Sequence, residues 1–227
     1  MIELVLVRHG ETEANKTHTI QGHLDTDLSE LGVKQAEMVG ESLAKHTFHL
    51  ALTSDLKRAK CTGEEIRKRN PSFESLEELQ VLRERCFGDL EGKPLKTMLE
   101  AIKGLDRSKL QSWGPDNGES GDMFRERIEM FIKTLGEKVQ GMDNPCVLAT
   151  THGGFIKDFN LLLVNKYQCS FPCQNGEYGR ISPNTGVSKY FLDFNDSGEL
   201  VKATCTQLYN KDHLNNLATV EPVLYGI

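Results

Sequence analysis

The chain has 227 residues, 38% hydrophobic and 26% charged, with a formal net charge of -6. That composition predicts a packed core and excludes a disordered chain, while the acidic balance argues against a nucleic-acid or anionic-membrane surface, which would carry a basic face. It leaves room for a small anionic substrate held by a few converging arginines.

Ile2 to Val7, "IELVLV", predicts a short strand covered on both faces, and the chain enters it with no basic flank or small-residue cleavage site. Ser29 to Lys45 predicts a helix capped by Ser29, with Leu31, Ala36, Val39 and Leu43 on its apolar stripe. His49 to Thr53, "HLALT", predicts a second strand. Ser54-Asp55 then reads as the cap of a helix carrying Leu56, Ala59, Gly63 and Ile66 on one face. Leu79 to Leu82 predicts a short strand leading into "RERCFGDLEG". Pro94 suits the first position of the next helix, and residues 104–121 read as irregular. Phe124, Ile128, Phe131, Leu135 and Val139, at spacings of 4, 3, 4 and 4, mark a long amphipathic helix. Cys146 to Ala149 predicts a strand, Phe155 to Val164 a helix, and Gly186–Phe194 with Leu200–Leu208 a β-hairpin turning at "NDSG".

Strands alternating with helices imply a largely parallel sheet with helices on both faces. No repeat or linker divides the chain, so residues 1–227 read as one domain, with residues 86–121 as a lid-like excursion within it. No stretch of about 18 apolar residues exists, so no membrane span is expected and the chain reads as cytoplasmic. Cys61, Cys86, Cys146, Cys169, Cys173 and Cys205 match no common zinc spacing and read as reduced thiols; a Cys169–Cys173 redox pair is the minor reading.

Two apolar runs end alike, in "LVRHGET" and in "VLATTHGG". Ligands of open parallel sheets bind beyond the carboxyl ends of the strands, where this pattern delivers Arg8-His9 and His152. The glycines after each histidine allow sharp turns. Arg58 falls in the first turn of the helix after Ser54, whose free N–H groups favour an anion. A lone histidine is more often structural. Two histidines and two arginines at one sheet edge describe a phosphate site. Arg8 and Arg58 would keep His9 neutral, as a nucleophile requires. Arg8, Arg58 and a protonated His152 would then be donors to the phosphoryl oxygens. Among several glutamates, Glu84 is the carboxylate chosen to protonate the leaving alkoxide and later to activate water.

"LVRHGETEAN", "LSELGVKQA", "TSDLKRAKCTGE", "RERCFGDLEG", "NGES" and "THGG" resemble, in this order, the signatures of the histidine phosphatase superfamily in its phosphoglycerate-mutase-like branch. "SPNTGVSKYFLDF" and "YNKDHLN" resemble the fructose-2,6-bisphosphatases of that family. The resemblance implies a three-layer α/β/α sandwich, His9 as the phosphorylated residue, Glu84 as proton donor and acceptor, and Arg8, Arg58 and His152 around the phosphoryl group. It further implies Asn15, Gln21, Gly22 and Gly153 as substrate contacts, and no metal or cofactor. Arg83, Arg85, Lys93 and Arg180 are candidates to hold a second phosphate, with Phe87 beside them. The expected activity is removal of the 2-phosphate of fructose 2,6-bisphosphate, lowering glycolytic flux. The rivals are a phosphatase for 2,3-bisphosphoglycerate or for many phosphoesters, a phosphoglycerate mutase, and an inactive binding protein on the same fold. The expected partner is a small phosphorylated metabolite.

Overall fold

Strand β1, Ile2–Arg8, alternates its apolar side chains between two cores. Leu4 and Leu6 enter one; Val5 and Val7 enter the other. This is why the run is apolar without a break. In the computed structural model, which describes residues 1–173, 176–215 and 217, β1 lies between β4, Cys146–Thr151, and β5, Val187–Phe194. The six-stranded sheet is completed by β2 (Leu50–Thr53), β3 (Glu77–Glu78) and β6 (Leu200–Asn210), in the order β3-β2-β4-β1-β5-β6. The first four of these run parallel; β5 and β6 form the antiparallel hairpin.

Helices cover both faces. Val39 and Leu43 of α2, Glu30–Leu43, and Ile66 of α3, Lys57–Arg69, pack with Val5, Val7 and Leu148 on one face. On the other, Phe124, Ile128, Phe131 and Leu135 of α6, Gly121–Val139, meet Phe155 and Phe159 of α7, Gly153–Tyr167. The protein is an α/β sandwich of three layers around a mostly parallel sheet, as expected.

Local departures have local causes. A short helix α1, Glu13–Lys16, follows Thr12, whose side chain forms a capping box with Asn15. The strand expected at Leu79–Leu82 is displaced: pairing involves Glu77 and Glu78, and Gln80–Leu82 is a 3-10 turn that buries Leu82. The helix after Pro94 is α4, Leu95–Ala101, with Pro94 as its cap residue. Within the segment read as irregular, Asp106 caps a short helix α5, Arg107–Ser112. Ser54 and Asp55 do not cap α3. The Lys57 N–H instead donates to the Asp25 carboxylate at 2.7 Å, so this helix end is partly occupied by protein rather than left open to an anion. The six cysteines, Cys169 and Cys173 included, are free thiols. Among the described residues, no helix is long and apolar enough to cross a membrane. Residues 218–227 of the expected single domain lie outside the described residues.

Candidate active site

Sheet register sets the site. Arg8 lies opposite Thr151, and Thr150 lies opposite both Val7 and Thr53. The His9 N–H donates to the Thr151 carbonyl and the Ser54 N–H to the Thr150 carbonyl, each at 2.9 Å. His9, His152 and Ser54 therefore leave three neighbouring strands at one level, at their carboxyl ends. Gly10 lets the chain turn there: a Cβ on it would lie 2.4 Å from the Gly32 carbonyl oxygen of α2.

His9 Nδ1 is 2.7 Å from the Gly10 carbonyl oxygen. A carbonyl only accepts, so Nδ1 carries the ring proton and Nε2 keeps its lone pair. Burial, reinforced by Arg58 and Arg8, holds the imidazole pKa well below its usual value, so the ring is neutral at pH 7. His152 lies beside it, ring centroids 5.2 Å apart. Its Nε2 is 2.9 Å from Ser54 Oγ, and its buried Nδ1 has no protein partner. Burial, then Arg58 and His9, push its pKa well down as well. This corrects the expectation of a protonated His152: in the free protein the ring is neutral and offers one N–H.

Main-chain oxygens aim both arginines. Arg8 Nη1 donates to the Ser182 carbonyl at 2.6 Å; Arg58 donates to the carbonyls of Leu24 and Gly22 at 2.7 and 2.8 Å. Burial pushes each guanidinium down to about 10, which leaves both charged at neutral pH. The Nε atoms of Arg8 and Arg58 are buried and unpartnered, like His152 Nδ1. Buried polar atoms ordinarily find partners. Three that do not, around one neutral imidazole, suit an oxyanion with several acceptor atoms.

Glu84 faces the same space. Its carboxylate accepts from the Gly154 N–H at 2.8 Å and the Arg85 N–H at 3.0 Å. Asn15 Oδ1 accepts from the Thr12 N–H and Gln21 Oε1 from the Thr26 hydroxyl, with the one Thr12 hydroxyl proton within reach of both, so both carboxamides are held as acceptors by protein. Gly22, at φ +50°, presents its carbonyl to Arg58, while Gly153 lies against the Arg8 guanidinium. These residues, with Arg85, Phe87 and Arg180, line a cleft of about 1470 Å³. Arg85 also ties together the segment 86–121, donating to the Trp113 and Glu119 carbonyls with its guanidinium 5.5 Å from the Phe87 and Trp113 rings. The same segment adds Leu95, Met98 and Trp113 to the wall.

Two expectations fail. Arg83 is bound by both carboxylate oxygens of Asp55, at 2.5 and 2.7 Å, and does not line the cleft. Lys93 is exposed and lies outside the cleft. Two residues were missed. Ser54 ends β2 as the histidines end β1 and β4, and the same strand-end rule would have found it. Asn184 reaches the site from before β5, donating to the His9 carbonyl at 3.0 Å; no signal along the chain marks it. Among the described residues, no group of three or more His, Cys, Asp or Glu side chains converges to hold a metal.

Parallel strands that end in paired histidines and buried arginines define a phosphate-handling α/β protein. The chain belongs to the histidine phosphatase superfamily (branch 1), whose family model matches residues 4–197. It is 29% identical over 249 residues to fructose-2,6-bisphosphatase TIGAR B of Danio rerio, covering 94% of this chain and 96% of that one. It is 36% identical over 160 residues to phosphoglycerate mutase-like protein 4 of Arabidopsis thaliana, covering 68% of each. A solved mycobacterial glucosyl-3-phosphoglycerate phosphatase superposes with a TM-score of 0.76 at 26% identity, covering 92% of this chain and 99% of that one. Family and neighbours together support a phosphatase acting on small phosphorylated substrates.

Proposed function

We propose that this protein is a metal-independent phosphatase that works through phosphohistidine on His9 and removes the 2-phosphate of fructose 2,6-bisphosphate, so lowering glycolytic flux. The observation that carries the chemistry is the His9 tautomer, with Nδ1–H on the Gly10 carbonyl and Nε2 left as nucleophile among three unpartnered buried nitrogens. Nε2 attacks phosphorus. Arg8, Arg58 and His152 donate to the equatorial oxygens, and the arriving negative charge favours a second proton on His152. Glu84, held one residue past the turn of Gly153, protonates the departing sugar oxygen. The same carboxylate then takes a proton from the water that opens the phosphohistidine.

The substrate name rests on the likeness to the Danio rerio enzyme across nearly the whole chain. Of the four cations weighed for the second phosphate, Arg85 and Arg180 stand on the cleft wall, Arg85 with its guanidinium held by main-chain carbonyls. A 2,3-bisphosphoglycerate phosphatase is the second reading, favoured by the match to a phosphoglycerate mutase-like relative. One domain over residues 1–227 and a cytoplasmic location, consistent with free thiols, belong to the same proposal.

The test is phosphate release from fructose 2,6-bisphosphate and 2,3-bisphosphoglycerate side by side, with EDTA present. A higher kcat/KM for the sugar bisphosphate is expected; the reverse order would move the protein to three-carbon phosphates. His9→Ala should remove turnover on both, by more than about a thousandfold. Retained turnover in that variant would end the phosphohistidine mechanism.

A further inference from the structure

Glu84 is not the only carboxyl group in the cleft. Asp158 lines the same space from α7 and is half-buried. Gly154, whose N–H holds Glu84, lies four residues earlier on that helix. Residues four apart share one helix face, so Asp158 stands one turn above the anchor of the proposed acid. Among the described residues its carboxyl has no hydrogen-bond donor, and it feels the charges of Lys157 on its own helix, Glu84, Arg85, and Arg125 on α6. Burial, aided by Glu84, raises its pKa above the ordinary aspartate range. Among the described residues this acceptor has no protein donor, and it faces the cleft one helical turn from the N–H that holds Glu84, so it is open to a donor on a bound ligand.

We propose that Asp158 is a specificity-determining residue that accepts a hydrogen bond from a hydroxyl on a carbon flanking the scissile ester. The inference rests on the phosphatase reading of the site and deepens it toward polyol phosphates. An acceptor carboxylate does not hold a second phosphate, since neither group has a proton to donate to the other when ionised. An ammonium is also disfavoured, because the charges of Lys157, Arg85 and Arg125 already act on this carboxyl. A neutral hydroxyl donates to the carboxylate without adding charge, and selectivity follows because its absence leaves the acceptor unpaired.

The experiment compares glycerol 2-phosphate with 2-propyl phosphate, which share a secondary phosphorylated carbon and differ in the flanking hydroxyls. The wild type should favour glycerol 2-phosphate in kcat/KM. Asp158→Ala should lower that value roughly tenfold while leaving 2-propyl phosphate within about twofold. Asp158→Asn, which keeps an acceptor oxygen, should restore most of the preference. Equal losses on both esters, or no loss on glycerol 2-phosphate, would overturn the role. Because neither ester is a bisphosphate, the result stands apart from the fructose 2,6-bisphosphate assignment. The phosphatase reading is checked separately by acid-labile phosphate on His9 in the same preparations: its absence would count against that reading, not against Asp158.

Discussion

Nucleophile and acid are prepared by opposite means. His9 is made neutral by burial beside two cations, with its tautomer fixed by one carbonyl. Glu84 is instead fixed in place by two backbone N–H groups. The two roles can be separated by the leaving group. An alkoxide needs a proton as it departs, whereas p-nitrophenolate does not. Glu84→Gln should therefore slow alkyl phosphate hydrolysis by about a hundredfold or more. With p-nitrophenyl phosphate it should give a burst of nitrophenol equal to the enzyme present, then a slow steady state, because water must still be activated without Glu84. A burst-free trace with unchanged steady-state rate would remove Glu84 from the acid–base role. At this scale the sequence was most legible where a strand end dictates position: His9, His152 and Arg8 follow from the apolar runs before them. It was least legible where a partner is distant. Arg83 looked like a free cation among charged neighbours, yet Asp55 lies 28 residues away along the chain and takes the Nε–Nη2 edge of its guanidinium with both carboxylate oxygens.

The first turn of α7 links core to chemistry. Phe155, fully buried, packs edge-on to Phe131 at 5.6 Å and stacks with Phe159, fixing the helix start against α6. The residue before it, Gly154, supplies the N–H that holds Glu84. Alanine is intrinsically the better helix former by about 1 kcal/mol. Yet a Cβ on Gly154 would lie 2.4 Å from Glu84 Oε1, the far end of a mobile side chain. Gly154→Ala should thus fold, with a melting temperature within a few degrees of wild type, while losing alkyl phosphate turnover about as Glu84→Gln does. Circular dichroism melts beside kinetics would check this; a folded Gly154→Ala enzyme of full activity would show that the carboxylate has no fixed position. The long helices were readable because each carries a strong apolar stripe. The strand misplaced onto Leu79–Leu82 was not: a two-residue pairing of exposed glutamates has no periodicity, and Leu82 is buried by a 3-10 turn that imitates a strand pattern.

Across the whole molecule, the buried site imposes a pH dependence on folding. His9 and His152 titrate well below their unfolded value of about 6.5, and burial pushes His213 down to about 4. Below pH 6.5 the unfolded chain binds protons that the folded chain refuses. The unfolding free energy then decreases as pH falls, by up to about 1.4 kcal/mol per pH unit for each fully buried histidine. His213, partly solvated, adds in the same direction with less weight. His46, lowered by burial and by Lys189, adds in the same direction, whereas Asp158, shifted upward, acts oppositely, since its folded form holds a proton to higher pH than the unfolded chain does; that is one group against four. Carboxylates with depressed pKa values, such as Asp55 and Glu119, stay ionised in both states from pH 7 to 5.5 and contribute nothing there. Urea midpoints should therefore decrease steadily over that window. His152→Asn removes one of the refused protons, so its curve should be flatter than wild type by close to one proton. Parallel curves for the two proteins would mean that His152 is charged in the folded state, and the neutral site on which the nucleophile depends would have to be abandoned.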